Sequence, residues 1–128
     1  MKPPISMKCP YCGSNVSRVD STQIYGRSYG LVYLCDRYPA CDAYVGCHPD
    51  GTPKGTLANR RLRAFRKATH AFFDPLWKER TKVFESRNAA YQWLGEKMNL
   101  PPDLAHIATF DEVQCIRCIE FVKEKYND

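Results

Sequence analysis

The chain has 128 residues, of which 44% are hydrophobic and 12% aromatic, and it carries a net charge of +5. This length excludes a large multidomain protein and allows one domain, or a small ribbon joined to a helical module. No apolar run approaches the length of a membrane span, so no membrane partner is expected. The moderate positive charge permits an acidic partner without identifying it.

The amino end predicts an extended arm over residues 1–8, with Pro3-Pro4 in it, and then a pair of cysteines. The pair lies in the run Cys9-Pro10-Tyr11-Cys12-Gly13. The proline fixes one φ angle, and Gly13 can adopt the positive φ that turns backbone amides toward the second sulfur. This pattern is typical of a zinc knuckle.

A second cysteine pair, Cys35 and Cys41, follows with Tyr38-Pro39 as a bend between its members. Four thiolates in two close pairs are the donor set of a closed tetrahedral zinc site. We therefore predict one structural zinc ion, bound by Cys9, Cys12, Cys35 and Cys41. Such a site has no open position for a catalytic water.

Disulfides and ordinary buried thiols are the alternatives for these four cysteines. Residues 1–8 lack the apolar segment of a signal peptide, which favours a reducing cytoplasm and therefore the metal.

Strand-like patterns occur between the two cysteine pairs and just after the second one. The segments are Val16 to Val19, Thr22 to Tyr25, Leu31 to Leu34 and Ala43 to Gly46, with a turn from Gly26 to Gly30. Residues rich in β-branched and aromatic side chains and bounded by glycines predict strands joined by a hairpin loop. Residues 9–46 therefore predict an antiparallel ribbon of three or four strands, held at one end by the metal.

The ribbon is rich in tyrosines interleaved with arginines, and a sheet this small cannot bury all of the rings. Exposed rings beside guanidinium groups can stack on unpaired bases and contact phosphates. Alternatively, the tyrosines only cover a small core and keep their hydroxyls in water. The candidate nucleic-acid-binding residues of the ribbon are Arg18, Tyr25, Arg27, Tyr29, Arg37 and Tyr38.

Residues 47–56 have the composition of a loop and are predicted to link the ribbon to a helical module over residues 57–128. Thr56 is a candidate N-cap for a helix from Leu57 to about His70. Its predicted inward face consists of Ala58, Leu62, Phe65, Thr69 and Phe72. The basic residues of the opposite face are Arg60, Arg63 and Lys67. Such a face is usually solvated, and phosphate contact is the functional alternative, so these three complete the candidate nucleic-acid-binding set.

Further helical signals follow. Asp74 and Pro75 can start a short helix that reaches Arg80 or Thr81. Ser86 begins a clear helical pattern through Met98, which Asn99 can end. The residues that this pattern turns inward are Ala90, Trp93, Leu94 and Met98.

A last helix is predicted from Phe110 to about Lys125, with Thr109 and Glu112 as its capping box. The predicted fold class is therefore α+β, with an N-terminal antiparallel zinc ribbon followed by a small bundle of three to four helices.

A second metal site is an open alternative for the remaining cysteines and histidines, which are Cys47, His48, His70, His106, Cys115 and Cys118. Cys115 and Cys118 stand three apart on the predicted last helix and lack a knuckle-like spacing to any histidine. Inert core thiols are the favoured interpretation of this pair, because cysteine is among the most buried residue types.

An enzyme is not expected, because the sequence has no nucleophile signature, phosphate loop or paired-carboxylate pattern. No small-molecule substrate is evident either. The polar residues Asp36, Asp42, His48 and Asp50 lie close in sequence. They leave a metal-dependent nuclease as the least favoured alternative.

Two resemblances add to these predictions. The run from Leu31 to Cys41 resembles the zinc ribbons at the carboxyl end of bacterial type IA topoisomerases, in which an aromatic strand enters a cysteine followed by Tyr-Pro-x-Cys. That resemblance covers about the first third of the chain and implies binding of single-stranded DNA. The whole chain resembles a family of small phage and prophage zinc-finger-containing proteins, which implies a viral origin. The segments that carry the second resemblance are Gly55–Asn59, Phe73–Trp77, Ala90–Leu94 and His106–Ile107.

The function that we expect is that of a non-enzymatic, phage-type accessory protein that binds nucleic acid, with single-stranded DNA or RNA favoured over duplex readout. The alternative partner is a protein, such as a host enzyme or defence complex whose activity it would modulate. Zinc ribbons serve as rigid platforms for either kind of partner.

Overall fold

The computed structural model describes residues 7–127, and the chain divides into two compact units, one ending at Arg61 and the other beginning at Leu62. Residues 1–6 of the predicted extended arm lie outside the described residues. The elements are β1 (Val16–Asp20), α1 (Thr22–Tyr25), β2 (Leu31–Cys35), β3 (Tyr44–Gly46), α2 (Arg60–Phe73), α3 (Arg87–Met98) and α4 (Glu112–Tyr126), with 3-10 turns at Asp74–Leu76 and Ile107–Thr109. This arrangement confirms the predicted α+β class. No helix within residues 7–127 is long and apolar enough to cross a membrane.

The sheet of the first unit has three antiparallel strands in the order β1-β2-β3. Val16 pairs with Cys35 at one end of β1 and β2, and Tyr33 pairs with Val45 across β2 and β3. Since side chains alternate along a strand, Tyr33 and Cys35 lie on the same face of the sheet. Both belong to a buried cluster that also contains Cys9, Ala43 and Leu57. The core of this unit therefore lies directly beside the cysteines.

The segment Thr22–Tyr25 is a helical turn and not the strand that its composition predicts. The Asp20 carboxylate accepts hydrogen bonds from the Thr22 N–H and the Ser28 hydroxyl, each at 2.9 Å. Gly26 closes the turn with a φ of 75° and donates its N–H to the Thr22 carbonyl. These local bonds satisfy the backbone without a sheet partner and override the strand propensity of the segment.

The predicted linker, residues 47–56, folds back as a hairpin within the first unit. The His48 N–H donates to the Thr52 carbonyl at 2.7 Å, and the Gly51 N–H donates to the His48 carbonyl at 2.9 Å. The Tyr33 hydroxyl donates to the Gly51 carbonyl at 2.5 Å. This segment is therefore part of the ribbon's own structure.

Helix α2 begins at Arg60 and not at Leu57, as the sequence pattern predicts. The reason is that Ala58 forms a β-bridge with Tyr44, with both N–H groups donating at 3.1 Å. Leu57 and Ala58 are buried in the first unit. A residue that pairs with a strand in this way cannot also supply the first turn of a helix.

The second unit packs its helices around a core of its own. The predicted inward face of α2 is partly wrong, since Phe73 is fully buried whereas Phe72 is 40% exposed. Leu62 and Thr69 are buried as predicted. The fully buried apolar side chains from the rest of the unit include Leu76, Leu94, Ile107, Phe110 and Val122.

The ends of α3 confirm the prediction from the sequence. The Ser86 hydroxyl accepts a hydrogen bond from the Ala89 N–H at 3.1 Å, which caps the first turn. Asn99 ends the helix in the left-handed conformation, with a φ of 56°.

Two other predicted boundaries are wrong. The predicted short helix at Asp74 is only the 3-10 turn Asp74–Leu76. The capping box of α4 is formed by Asp111 and Gln114, whose side chains each accept from the other's N–H, at 2.8 and 2.9 Å. Thr109 donates its hydroxyl to the His106 carbonyl at 2.8 Å in the preceding turn.

Candidate metal centre

The first knuckle presents Cys9 and Cys12 from a tight turn ahead of β1. The Cys9 N–H donates to the Ser14 carbonyl at 2.8 Å, and the Gly13 N–H donates to the Cys9 carbonyl at 2.9 Å. Gly13 has a φ of 76°, in the left-handed region that a side chain disfavours. The glycine after the second cysteine is thus what allows the chain to reverse and bring both sulfurs to one side.

The second knuckle begins where β2 ends, at Cys35. The Tyr38 N–H donates to the Cys35 carbonyl at 3.0 Å, and the Cys41 N–H donates to the Arg37 carbonyl at 3.1 Å. The Tyr38-Pro39 peptide bond is cis. These consecutive turns take up the longer spacer and return Cys41 to a position beside Cys35.

The four sulfur atoms lie within 4.8 Å of one another. Cys9 Sγ is 3.6 Å from Cys41 Sγ, and Cys12 Sγ is 3.5 Å from Cys35 Sγ. A tetrahedral zinc with Zn–S distances of about 2.3 Å requires its sulfurs to be about 3.8 Å apart. A disulfide requires about 2.05 Å, so the four side chains are separate thiols with the spacing of a zinc site.

Burial and hydrogen bonding set different pKa values for these thiols. Hydrogen bonds from Ser14, first its side chain and then its backbone N–H, lower the pKa of Cys12 to about 6, because they stabilise the thiolate. Burial raises the pKa of Cys35 to about 12. Cys9 and Cys35 are buried, whereas Cys12 and Cys41 are partly exposed. Zinc binding therefore releases the Cys35 proton, whereas Cys12 is already ionised at neutral pH.

A family model of zinc-finger-containing domains matches residues 5–125. The chain belongs to this family. The comparisons with curated proteins and with solved structures found no match. Together with the sulfur geometry, membership confirms the prediction that Cys9, Cys12, Cys35 and Cys41 hold one structural zinc.

The other candidate ligands do not gather into a second site. Among residues 7–127, the four ribbon cysteines form the only group of three or more metal-binding side chains within reach of one ion. Cys115 and Cys118 are fully buried, and burial raises the pKa of both, that of Cys118 to about 12. His70 pairs with Asp74 at 3.2 Å.

Two of the four residues proposed for a nuclease alternative, Asp36 and Asp50, also have structural roles. The Asp36 carboxylate accepts from the Ser17 hydroxyl at 2.5 Å, which joins the second knuckle to β1. The Asp50 carboxylate accepts from the Thr52 N–H at 2.9 Å and stabilises the hairpin turn. Both interactions account for these acids as parts of the ribbon.

Three of the predicted nucleic-acid-binding residues are brought together on the ribbon. The Tyr25 and Tyr29 rings meet edge to face at 5.6 Å, and the Arg27 guanidinium lies 5.3 Å from the centre of the Tyr29 ring. Tyr44, a ribbon tyrosine outside the predicted binding set, completes the cluster: its ring centre is 6.2 Å from that of Tyr25, and the two hydroxyls are 3.0 Å apart. Tyr44 begins β3, the strand that follows the second knuckle, and this position in the sequence was the signal that could have added it to the predicted set. We call Tyr25, Arg27, Tyr29 and Tyr44 the tyrosine cluster.

The remaining predicted residues lie elsewhere. The Arg18 side chain packs against Gly51 in the hairpin of residues 47–56. A Cβ built on Gly51 would lie 2.5 Å from a guanidinium nitrogen of Arg18. Tyr38 is half-buried within the second knuckle, and Arg37 is exposed beside it. The basic residues Arg60 and Lys67 are exposed on α2, and Arg63 is half-buried.

Proposed function

We propose that this zinc-binding protein is a non-enzymatic accessory protein, of phage type as the sequence resemblance implies, that binds nucleic acid and favours single strands. The observation that carries the proposal is the tyrosine cluster. Tyr29 is 69% exposed and Tyr25 is 51% exposed, although rings of this size are normally covered where a core is available. Their exposure leaves flat apolar surface available to a ligand.

The cluster has the features that single-strand binding requires. An unpaired base can stack on an exposed aromatic ring, and each such stack contributes about 1–3 kcal/mol. The Arg27 guanidinium lies 5.3 Å from the centre of the Tyr29 ring and puts a positive charge beside it, which can pair with a phosphate of the bound strand. A duplex keeps its bases stacked inside, so the same rings gain little from it.

Zinc has a structural part in this function. It holds the two knuckles together, and β2 connects the second knuckle to the loop that carries Tyr29. The Tyr29 N–H donates to the Ser21 hydroxyl at 2.7 Å, and Ser21 is itself buried. The rings are therefore presented from an ordered loop, which lowers the entropy cost of binding.

The test is fluorescence anisotropy of labelled oligothymidylate, oligouridylate and a DNA duplex with the zinc-loaded protein at low salt. We expect both single strands to bind more tightly than the duplex. The double variant Tyr25→Ala/Tyr29→Ala should bind single strands at least about tenfold more weakly, on the stacking magnitude above. Tyr126→Ala is the matched control, because Tyr126 on α4 is 49% exposed, and it should not change the affinity. Absence of binding to every oligonucleotide, or equal losses in both variants, would overturn the proposal.

A further inference from the structure

A groove of about 810 Å³ runs along α3 in the helical unit, between that helix and the segment that follows it. Its lining includes Tyr91, Gly95 and Ala105, which are buried and form an apolar floor. A Cβ on Gly95 would lie 3.0 Å from Ala105 Cβ and 3.2 Å from the Leu100 carbonyl oxygen, so a larger residue there would push the following segment away from the helix by a few tenths of an ångström. The volume is in the range of sites that hold small ligands or short segments of chain.

The exposed rim of the groove is polar but nearly uncharged. Asn88, Gln92, Glu96 and Asn99 line it from α3 and its C-cap. Within residues 7–127, none of these four side chains has a hydrogen-bonding or ionic partner. A side-chain amide offers two donors and one acceptor, which is the complement of a peptide group.

The spacing of the rim fits an extended peptide. Residues four apart on an α-helix are separated by a rise of about 6 Å. Residues two apart on an extended strand are separated by about 6.7 Å. Asn88, Gln92 and Glu96 therefore follow nearly the same repeat as every second residue of an extended chain. The distance from Asn88 to Asn99 along the axis is about 16 Å, which corresponds to about five extended residues.

The lining of the groove carries one negative charge, and the Arg87 guanidinium lies close to its floor. Glu96 is its one fully charged lining residue. Arg87 is outside the lining, with its guanidinium stacked 4.9 Å from the centre of the Tyr91 ring. A carboxylate on the rim attracts a lysine or arginine and repels a phosphodiester.

We infer that this groove binds an extended peptide segment of about five residues, with apolar side chains on the Tyr91–Gly95–Ala105 floor and a lysine or arginine beside Glu96. The inference does not depend on nucleic-acid binding by the ribbon, because all of its residues belong to the helical unit. It gives the chain a second binding surface, for a protein partner with an exposed, unstructured basic segment.

The test uses the zinc-loaded full chain and a positional-scanning library of acetylated pentapeptide amides. We expect the bound pools to carry lysine or arginine at one position and apolar residues at alternate positions. On titration with the best pool, the side-chain amide NMR signals of Asn88 and Gln92 should shift and saturate. An Asn88→Ala/Gln92→Ala variant should bind about tenfold more weakly, since it loses at least two hydrogen bonds to the ligand.

Two further variants make the result specific. Glu96→Lys should reverse the preference from basic to acidic pentapeptides. Lys97→Ala is the control, because Lys97 is exposed on the opposite side of α3, and it should leave binding unchanged. The inference is overturned if no pool binds, if Glu96→Lys keeps the basic preference, or if oligothymidylate shifts the same amide signals and the peptides do not.

Discussion

Substitution of one zinc ligand, Cys35→Ser, is expected to unfold the ribbon and leave the helical unit folded. Cys35 is 1% exposed, and its sulfur is 3.5 Å from that of Cys12. A structural zinc contributes about 10–16 kcal/mol to folding. Whole domains have net stabilities of about 5–15 kcal/mol, so loss of the metal removes as much free energy as such a domain has in total.

The assay is a 15N–1H NMR spectrum recorded beside the zinc content by native mass spectrometry. In the variant, the amide signals of β1, β2 and β3 should collapse to random-coil positions. The signals of α3 and α4 should remain dispersed, because that unit has its own buried core, with Phe73, Leu94 and Val122 fully enclosed.

Cys47→Ser is the matched control for this experiment. Cys47 is a half-buried cysteine that packs against the same apolar cluster as the ligands but is not one of the four. This variant should keep one zinc and a dispersed ribbon spectrum. If Cys35→Ser lost its zinc and still showed folded β-strand signals, the sheet would be stabilised by its apolar side chains and the reasoning would be wrong.

Further predictions concern protonation, capping and thiol reactivity. Zinc affinity should fall with falling pH, because Cys35, with a pKa raised to about 12, must lose its proton to bind the metal. The fall should steepen below about pH 6, where metal-free Cys12 also becomes protonated. Zinc affinities measured by chelator competition over a pH series check this, and a series without the steepening would contradict it. Asp111→Ala removes the N-cap of α4 and should lower the free energy of unfolding by about 1 kcal/mol, which thermal denaturation detects as a lower Tm. An unchanged Tm would show that the cap does not stabilise the protein. Cys115 and Cys118 should resist alkylation by iodoacetamide at pH 8 until the protein is denatured, since both thiols are fully buried and have raised pKa values. Mass spectrometry of the native protein after treatment checks this, and labelling of either thiol would contradict it.

The metal centre could be predicted from the sequence because its information is local. Each knuckle encodes its own turn, through Gly13 in the first and Tyr38-Pro39 in the second, and two pairs of thiolates complete one coordination sphere. The ends of α3 are local in the same sense, since Ser86 and Asn99 act through their own side chains and backbone angles. Patterns of this kind need no partner from a distant part of the chain.

Features that depend on partners distant in sequence were not predicted. The start of α2 is set by the pairing of Ala58 with Tyr44, and the tyrosine cluster depends on the contact between Tyr25 and Tyr44. The cap of α4 was missed although it is local, because the pair Thr109 and Glu112 has the same spacing as the pair Asp111 and Gln114 that forms the cap. Propensity alone could not choose between Thr109 and Asp111, because both residue types cap helices well.

The groove along α3 was invisible to sequence analysis for a different reason. Its floor and rim come from one helix and from the segment after it, and the polar residues on the rim have the composition of any solvated helix face. Only the structure shows that the segment after α3 packs closely against Gly95, and that a groove lies beside this contact at Gln92.

Zinc K-edge X-ray absorption of the purified protein tests the four-sulfur centre most directly. We expect one zinc per chain with four sulfur neighbours at about 2.3 Å and no nitrogen or oxygen bound to the metal. A first shell that contained nitrogen would mean that a histidine replaces one of Cys9, Cys12, Cys35 and Cys41, and it would contradict the assignment of the metal centre.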